Sequence, residues 1–128
     1  MNNPQRFSAT HQWAEKISST QVRIGISHHA QNALGDVVYV ELPELGKEVV
    51  AGQVLAGIES VKTASEIQSP VSGKLVACNT NLEDTPELLN EASLTTWVFL
   101  LEADAAQLDK EWQALLGVAA YEALLDTL

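Results

Sequence analysis

Between residues 20 and 102 the chain is cut into short apolar runs by Gly and Pro. That punctuation admits little besides short strands joined by tight turns. Val22, Ile24 and Ile26 alternate with polar or small neighbours, as one half-buried strand does. Ser27 is placed to cap a short helix over His28–Leu34, and Gly35 supplies its end. Asp36–Leu42 is β-branched and aromatic at Val37, Val38, Tyr39 and Val40, and Pro43 stops it. Further strands are predicted at Val54–Ser60, Thr63–Ser69, Lys74–Cys78 and Trp97–Glu102.

An internal echo supports the same reading. Glu41-Leu42-Pro43-Glu44-Leu45-Gly46-Lys47-Glu48-Val49 resembles Gln68-Ser69-Pro70-Val71-Ser72-Gly73-Lys74-Leu75-Val76. Each reads as strand–turn–strand, with Pro opening the turn and Gly taking its φ > 0 position. Two such units can pack as quasi-equivalent halves of a small β-sandwich. Gly57 and Gly73 are expected at tight bends or close strand approaches, where substitution is poorly tolerated. Beyond residue 102 the pattern becomes helical. Asp104 and Gln107 resemble a capping box, and Leu108, Trp112, Leu115 and Leu116 recur at helical spacing until Gly117 ends the run. A second helical stretch is predicted over Tyr121–Leu125.

Composition narrows the function. The 128 residues carry 17 acidic and 7 basic groups, a formal charge of -10, which repels nucleic-acid phosphates and anionic lipid. It suits a partner with a basic docking face, and equally it only keeps the chain soluble. Cys78, the single cysteine, permits no internal disulfide or cysteine metal cluster and reads as a small buried hydrophobe. No apolar stretch approaches the ~20 residues of a membrane span, and Met1–Arg6 lacks signal or transit features, so a cytoplasmic location is expected.

Enzyme motifs are missing. The sequence holds no phosphate-binding Gly-rich loop, no G-x-S-x-G and no His-x-x-x-His pair. His28 and His29 diverge on a strand or a helix, so surface or capping roles are the default for them and for His11. The carboxylates show no spacing that singles out an acid/base pair. The unusual segment is Gly57-Ile58-Glu59-Ser60-Val61-Lys62-Thr63-Ala64-Ser65-Glu66-Ile67. A two-residue hairpin normally wants Asn-Gly or Asp-Gly, yet this one centres on Val61-Lys62. A lysine at such a turn calls for a reason beyond local stability.

Glu59-Ser60-Val61-Lys62, followed by Ser69-Pro70-Val71-Ser72-Gly73, resembles the lipoylation segment of the glycine cleavage system H protein family. The likeness extends to Val22–Ser27, Ala30–Pro43, Pro86–Glu91 and Tyr121–Leu125, in order, from about Phe7 to Leu125. The resemblance implies a mainly β, lipoyl/biotinyl-carrier-like barrel-sandwich hybrid of two small antiparallel sheets. It would be a single carrier domain over 1–128, with a lipoyl hairpin at about 54–69 and a C-terminal helical segment at about 104–125. It implies lipoate amide-linked to Lys62, which arginine could not replace because guanidinium does not form that amide. In the family, a pyridoxal-phosphate glycine decarboxylase (P protein) loads an aminomethyl group onto the lipoyl sulfur. A folate-dependent aminomethyltransferase (T protein) unloads it, and dihydrolipoamide dehydrogenase (L protein) reoxidises the dithiol. A lipoate ligase or lipoyl transferase modifies the lysine, and the monomeric carrier contributes no catalytic group.

Two departures bear on the loaded arm, whose aminomethyl group is cationic. The family usually places Glu before its first Trp, where this chain has Gln12, while Glu66 stands where Asp is usual. Gln12 and Glu66 are thus the candidate residues of the arm cleft. The family's Pro-Tyr-x-x-Gly-Trp loop is here Ala92-Ser93-Leu94-Thr95-Thr96-Trp97. A biotin carrier would set its lysine between methionines rather than Val61 and Thr63. A lipoyl domain of a 2-oxo acid dehydrogenase would lead into an Ala/Pro-rich linker rather than helices. The alternative that stays open is a divergent H-like protein that stores or relays lipoate.

Overall fold

The structure, a computed structural model, describes residues 5–128, and the reading of Met1–Pro4 lies outside them. Six strands form one sheet in the order β1 (Gln5–Phe7), β2 (Gln12–Lys16), β3 (Gln21–Ile26), β9 (Phe99–Glu102), β8 (Gly73–Cys78), β5 (Glu48–Val49). Three form the other, in the order β4 (Val37–Glu41), β6 (Val54–Ser60), β7 (Ala64–Gln68). Every pairing is antiparallel. This is the mainly β barrel-sandwich hybrid that the resemblance implied.

The alternation read from sequence drives the packing. Val22, Ile24 and Ile26 turn inward to join Val40, Leu55, Ile58 and Ile67 from the other sheet, all buried in one core with Leu75, Phe99 and Leu101. Helix α1 (His28–Leu34) starts where expected, with the Ser27 hydroxyl accepting the Ala30 N–H at 3.2 Å, and Gly35 closes it at φ 74°. A satellite cluster of Phe7, Trp13 and Tyr121 docks α5 (Val118–Leu125) onto the first two strands. There the rings of Phe7 and Tyr121 stack at 4.4 Å.

The echo has a concrete counterpart. Each copy carries the chain out of the three-stranded sheet into the six-stranded one, and their second strands, β5 and β8, pair with each other. The two glycines differ, however. Gly46 does take positive φ, at 90°, whereas Gly73 does not. A Cβ on Gly73 would stand 2.9 Å from the Glu102 carbonyl oxygen, so β9 excludes a side chain there. The expectation for Gly57 fails: a Cβ would meet Glu41 Cβ at 3.7 Å and the Ser65 carbonyl oxygen at 4.0 Å, both ordinary contacts, and its φ is unexceptional.

Gly117 also plays another part. Helix α4 (Ala105–Ala114), capped by Asp104 as expected, ends at Leu115, which is already extended. That extension lets Leu116 exchange backbone hydrogen bonds with Phe7, at 2.7 and 2.8 Å. Gly117 then caps the start of α5, which begins at Val118 rather than Tyr121. Strands β1, β2 and β5 and the single-turn helices α2 (Asn81–Asp84) and α3 (Leu88–Glu91) had no periodic signal. The three strands form because neighbouring strands supply partners for their backbones, whereas the two helical turns bond within themselves and are anchored by buried Leu82 and Leu89.

Candidate functional site

The β6–β7 hairpin carries Lys62 at its tip, with Glu59 and Ala64 as the last paired residues. No residue of this turn takes positive φ, which is why Asn-Gly is unnecessary. Ser60 does the work of the turn instead. Its N–H donates to the Thr63 carbonyl at 2.8 Å, while its hydroxyl accepts the N–H groups of Lys62 and Thr63 at 3.2 and 3.1 Å. The Val61 N–H donates to the Asp36 carbonyl at 3.0 Å, tying the turn to the segment between α1 and β4.

Lys62 is exposed. Its stem crosses Gly35, where an added Cβ would sit 3.2 Å from Lys62 Cε. Among the described residues the one ion pair is Lys16–Asp109, so the Lys62 ammonium has no carboxylate partner. Lys16 is further engaged over the Trp112 ring. Lys47, Lys74 and Lys110 are exposed but do not sit on a hairpin tip.

Beside the hairpin lies a cleft of about 290 Å³. Ile26, Ala30, Leu34, Ile58 and Ile67 give it apolar walls, and Thr10, His11, Gln12, His29 and Glu66 give it polar ones. Gln12 and Glu66, far apart in sequence, are thus brought to one cavity. Glu66 is exposed, on the edge strand. Gln12 is buried and already engaged: its Oε1 accepts from the hydroxyls of Ser8, at 2.8 Å, and Thr10, and its Nε2 donates to the Thr10 carbonyl at 3.0 Å.

Sequence reasoning missed His11. The default surface role is wrong for it: His11 is half-buried at the β1–β2 turn in the left-handed region, φ 76°, against the His29 ring at 4.5 Å. The Tyr121 hydroxyl donates to Ser27 Oγ at 2.7 Å, so His11 Nδ1–H donates to the Tyr121 oxygen, also at 2.7 Å. Burial, then the neighbouring His29, lowers the His11 pKa from its ordinary value. Burial raises that of Tyr121, with the Ser27 bond opposing. A non-glycine residue wedged between Thr10 and Gln12 gave no local sign of this; the signal was Tyr121, a polar-tipped aromatic in an apolar helix.

The altered loop before Trp97 serves as a lid on Trp13. The Trp13 indole donates to the Ser93 carbonyl at 2.8 Å, and Thr96 Oγ1 donates to the Leu88 carbonyl at 3.2 Å. Cys78 is half-buried rather than fully buried, and burial raises its thiol pKa, with Glu83 adding to the shift. Among the described residues no cluster of His, Cys, Asp or Glu suits a metal ion, and no helix is long and apolar enough to cross a membrane.

With this geometry in view, comparisons with known proteins agree on one family. A family profile described as glycine cleavage H-protein matches residues 5–127. The chain is 48% identical over 122 residues to glycine cleavage system H protein 2 of Pseudomonas aeruginosa, covering 94% of this chain and 92% of that protein. It is 45% identical over 122 residues to a probable glycine cleavage system H protein of Thermococcus gammatolerans, covering 95% and 90%. The crystal structure of a glycine cleavage system H protein from Mycobacterium marinum is similar throughout, with a TM-score of 0.82, 28% identity and full coverage of both chains.

Proposed function

The chain belongs to the glycine cleavage H-protein family, a family of lipoyl carriers, and on that premise we propose that Lys62 bears the lipoyl group and that the adjoining cleft shelters its loaded end. The supporting observation is the juxtaposition of an exposed, unpaired lysine on a hairpin tip with a cleft walled by the same hairpin. The residues present suit such a group. A free amine at a tip is open to a modifying enzyme, the apolar walls suit a hydrocarbon arm, and the polar walls suit a charged terminus. When attached, lipoate supplies a sulfur that takes up the aminomethyl unit and a dithiol that is later reoxidised.

The chain's own part is to position and protect. Lys62 contributes the amine of the amide bond, and its long stem extends the arm's reach. Tethering raises the arm's effective concentration at each docked partner. Ile26, Leu34, Ile58 and Ile67 exclude water from the arm, Glu66 offers the charge that favours an aminomethyl cation, and neutral Gln12 adds only an amide. In this reading 1–128 is a single non-catalytic carrier domain of the cytoplasm. Its partners are the decarboxylase, the aminomethyltransferase, the flavoprotein dehydrogenase and a lipoate ligase or transferase. Reconstituted glycine decarboxylation with the lipoylated chain tests it. Lipoylation without aminomethyl loading would favour the lipoate-relay alternative.

A further inference from the structure

Pro86–Glu91 has no part in the function as described so far, yet one of its side chains reaches the lysine turn. Asn90 stands on α3, anchored by its fully buried neighbour Leu89. Its Nδ2 donates to the Gly35 carbonyl at 2.7 Å, and its Oδ1 accepts the Val37 N–H at 2.8 Å. The two bonds require opposite ends of the amide, so they fix its orientation and pin the backbone on both sides of Asp36.

The pinned segment is what the lysine turn hangs from. The Asp36 carbonyl takes the Val61 N–H at 3.0 Å, and Val37 is the register partner of Ser60. Gly35 also forms the surface under the lysine stem: a Cβ there would lie 3.2 Å from Cε and 3.5 Å from Cδ, at a φ of 74° that L side chains rarely adopt. One amide thus holds both the anchor of the turn and the floor beneath the stem.

We propose that Asn90 and Gly35 are positioning residues for Lys62, setting the amine's presentation to the enzyme that acylates it. This rests on Lys62 being the attachment site. Amide formation needs the nitrogen lone pair aimed at an activated lipoyl carbonyl; the C–N bond forms, the activating group leaves, and the nitrogen gives up a proton. A lysine stem has several free torsions, and a fixed turn with a glycine floor narrows them before the enzyme arrives. A carboxylate at position 90 would still accept from Val37 but could not donate to Gly35. A methyl group would do neither.

The test uses the full chain with a purified lipoate ligase, lipoate and ATP, measuring kcat and KM for carrier lipoylation. Variants are Asn90→Ala, Asn90→Asp and Gly35→Ala, with Asn79→Ala as a control. Asn79 is likewise bonded to a backbone carbonyl, that of Trp97 at 2.8 Å, but does not touch the lysine turn. The expected result is a kcat about tenfold lower for Asn90→Ala and Gly35→Ala, well within the ~10²-fold that a 1 Å misplacement can cost. Asn90→Asp should fall between, KM should move little, and the control should match wild type. If Asn90→Ala fails to fold, Asn90→Asp and Gly35→Ala carry the test. Wild-type kcat in the folded variants, or an equal fall in the control, overturns the inference. Peptide mapping of the wild type in the same assay keeps the two readings apart, since absence of lipoate from Lys62 defeats the attachment assignment itself.

Discussion

Two turns border the same cleft, and they are built in opposite ways. The β1–β2 turn is tied down throughout: His11 is bonded to Tyr121 of α5, Gln12 is held by Ser8 and Thr10, and the left-handed backbone at His11 is locked in place. The β6–β7 turn is held at its base, by the Ser60 N–H and hydroxyl and by the Asp36 carbonyl, and its central residues Val61 and Lys62 are exposed. Polar groups on the first turn are spent on one another or on Tyr121, while the lysine on the second is left free. The contrast separates a wall, which must keep its shape, from a tip, which must reach other proteins.

Removing a tie from the wall should cost most. Tyr121→Phe keeps the Phe7 stacking surface but strips the hydroxyl that joins His11 to Ser27. A loss of about 1–3 kcal/mol is expected, the range for leaving buried polar partners unsatisfied. Denaturant melts would read it, and lipoylation of Lys62 should proceed unchanged. A melt identical to wild type would show that the wall is not held this way.

Gln12→Glu tests the wall from inside the cleft. A carboxylate would lose the donor to the Thr10 carbonyl, so a stability loss of about 1 kcal/mol is expected. It should also slow non-enzymatic loss of the aminomethyl group, by no more than the few-fold that ~1 kcal/mol allows. Decay of isolated, loaded carrier at low and high salt measures this. Equal lifetimes at low salt would mean that Gln12 does not face the arm.

The pH dependence follows from His11. Its pKa is lowered in the folded chain, so below the ordinary value of 6.5 the unfolded chain takes up the proton more readily. This contribution to stability is full above 6.5 and is lost as pH falls toward the folded value. His11→Asn should flatten the fall of the thermal midpoint below that pH. A parallel slope in the variant would assign the dependence to other groups.

The smallest effect belongs to the tip. Ser60→Ala removes an exposed hydroxyl, so about 0.5–1 kcal/mol is expected, with faster amide exchange at Lys62 and Thr63. Unchanged exchange at both would remove Ser60 from the account of the turn.

What could be read in the sequence was what local chemistry decides. The alternation at Val22–Ile26, the Ser27 cap and the Asp104 cap needed only neighbouring residues, and each formed as expected. The two Pro-to-Gly-Lys stretches could be matched as similar crossings, but not the separate reasons for Gly46 and Gly73, because the Glu102 carbonyl that crowds Gly73 comes from a distant strand. The same limit hid His11 and Asn90, whose partners lie 110 and 55 residues away. Gln12 could be located through the family resemblance, yet its bonds to Ser8 and Thr10 depend on a hairpin that β3 holds in place.

The central claim is that the free lysine on the open turn is the one that is modified. Its most direct test is peptide mapping of the chain after reaction with a lipoate ligase, beside the Lys62→Arg variant. A single lipoyl group on Lys62, and an unmodified but normally folded variant, is the predicted result. Lipoate on Lys47 or Lys74, or modification that persists in Lys62→Arg, would contradict it.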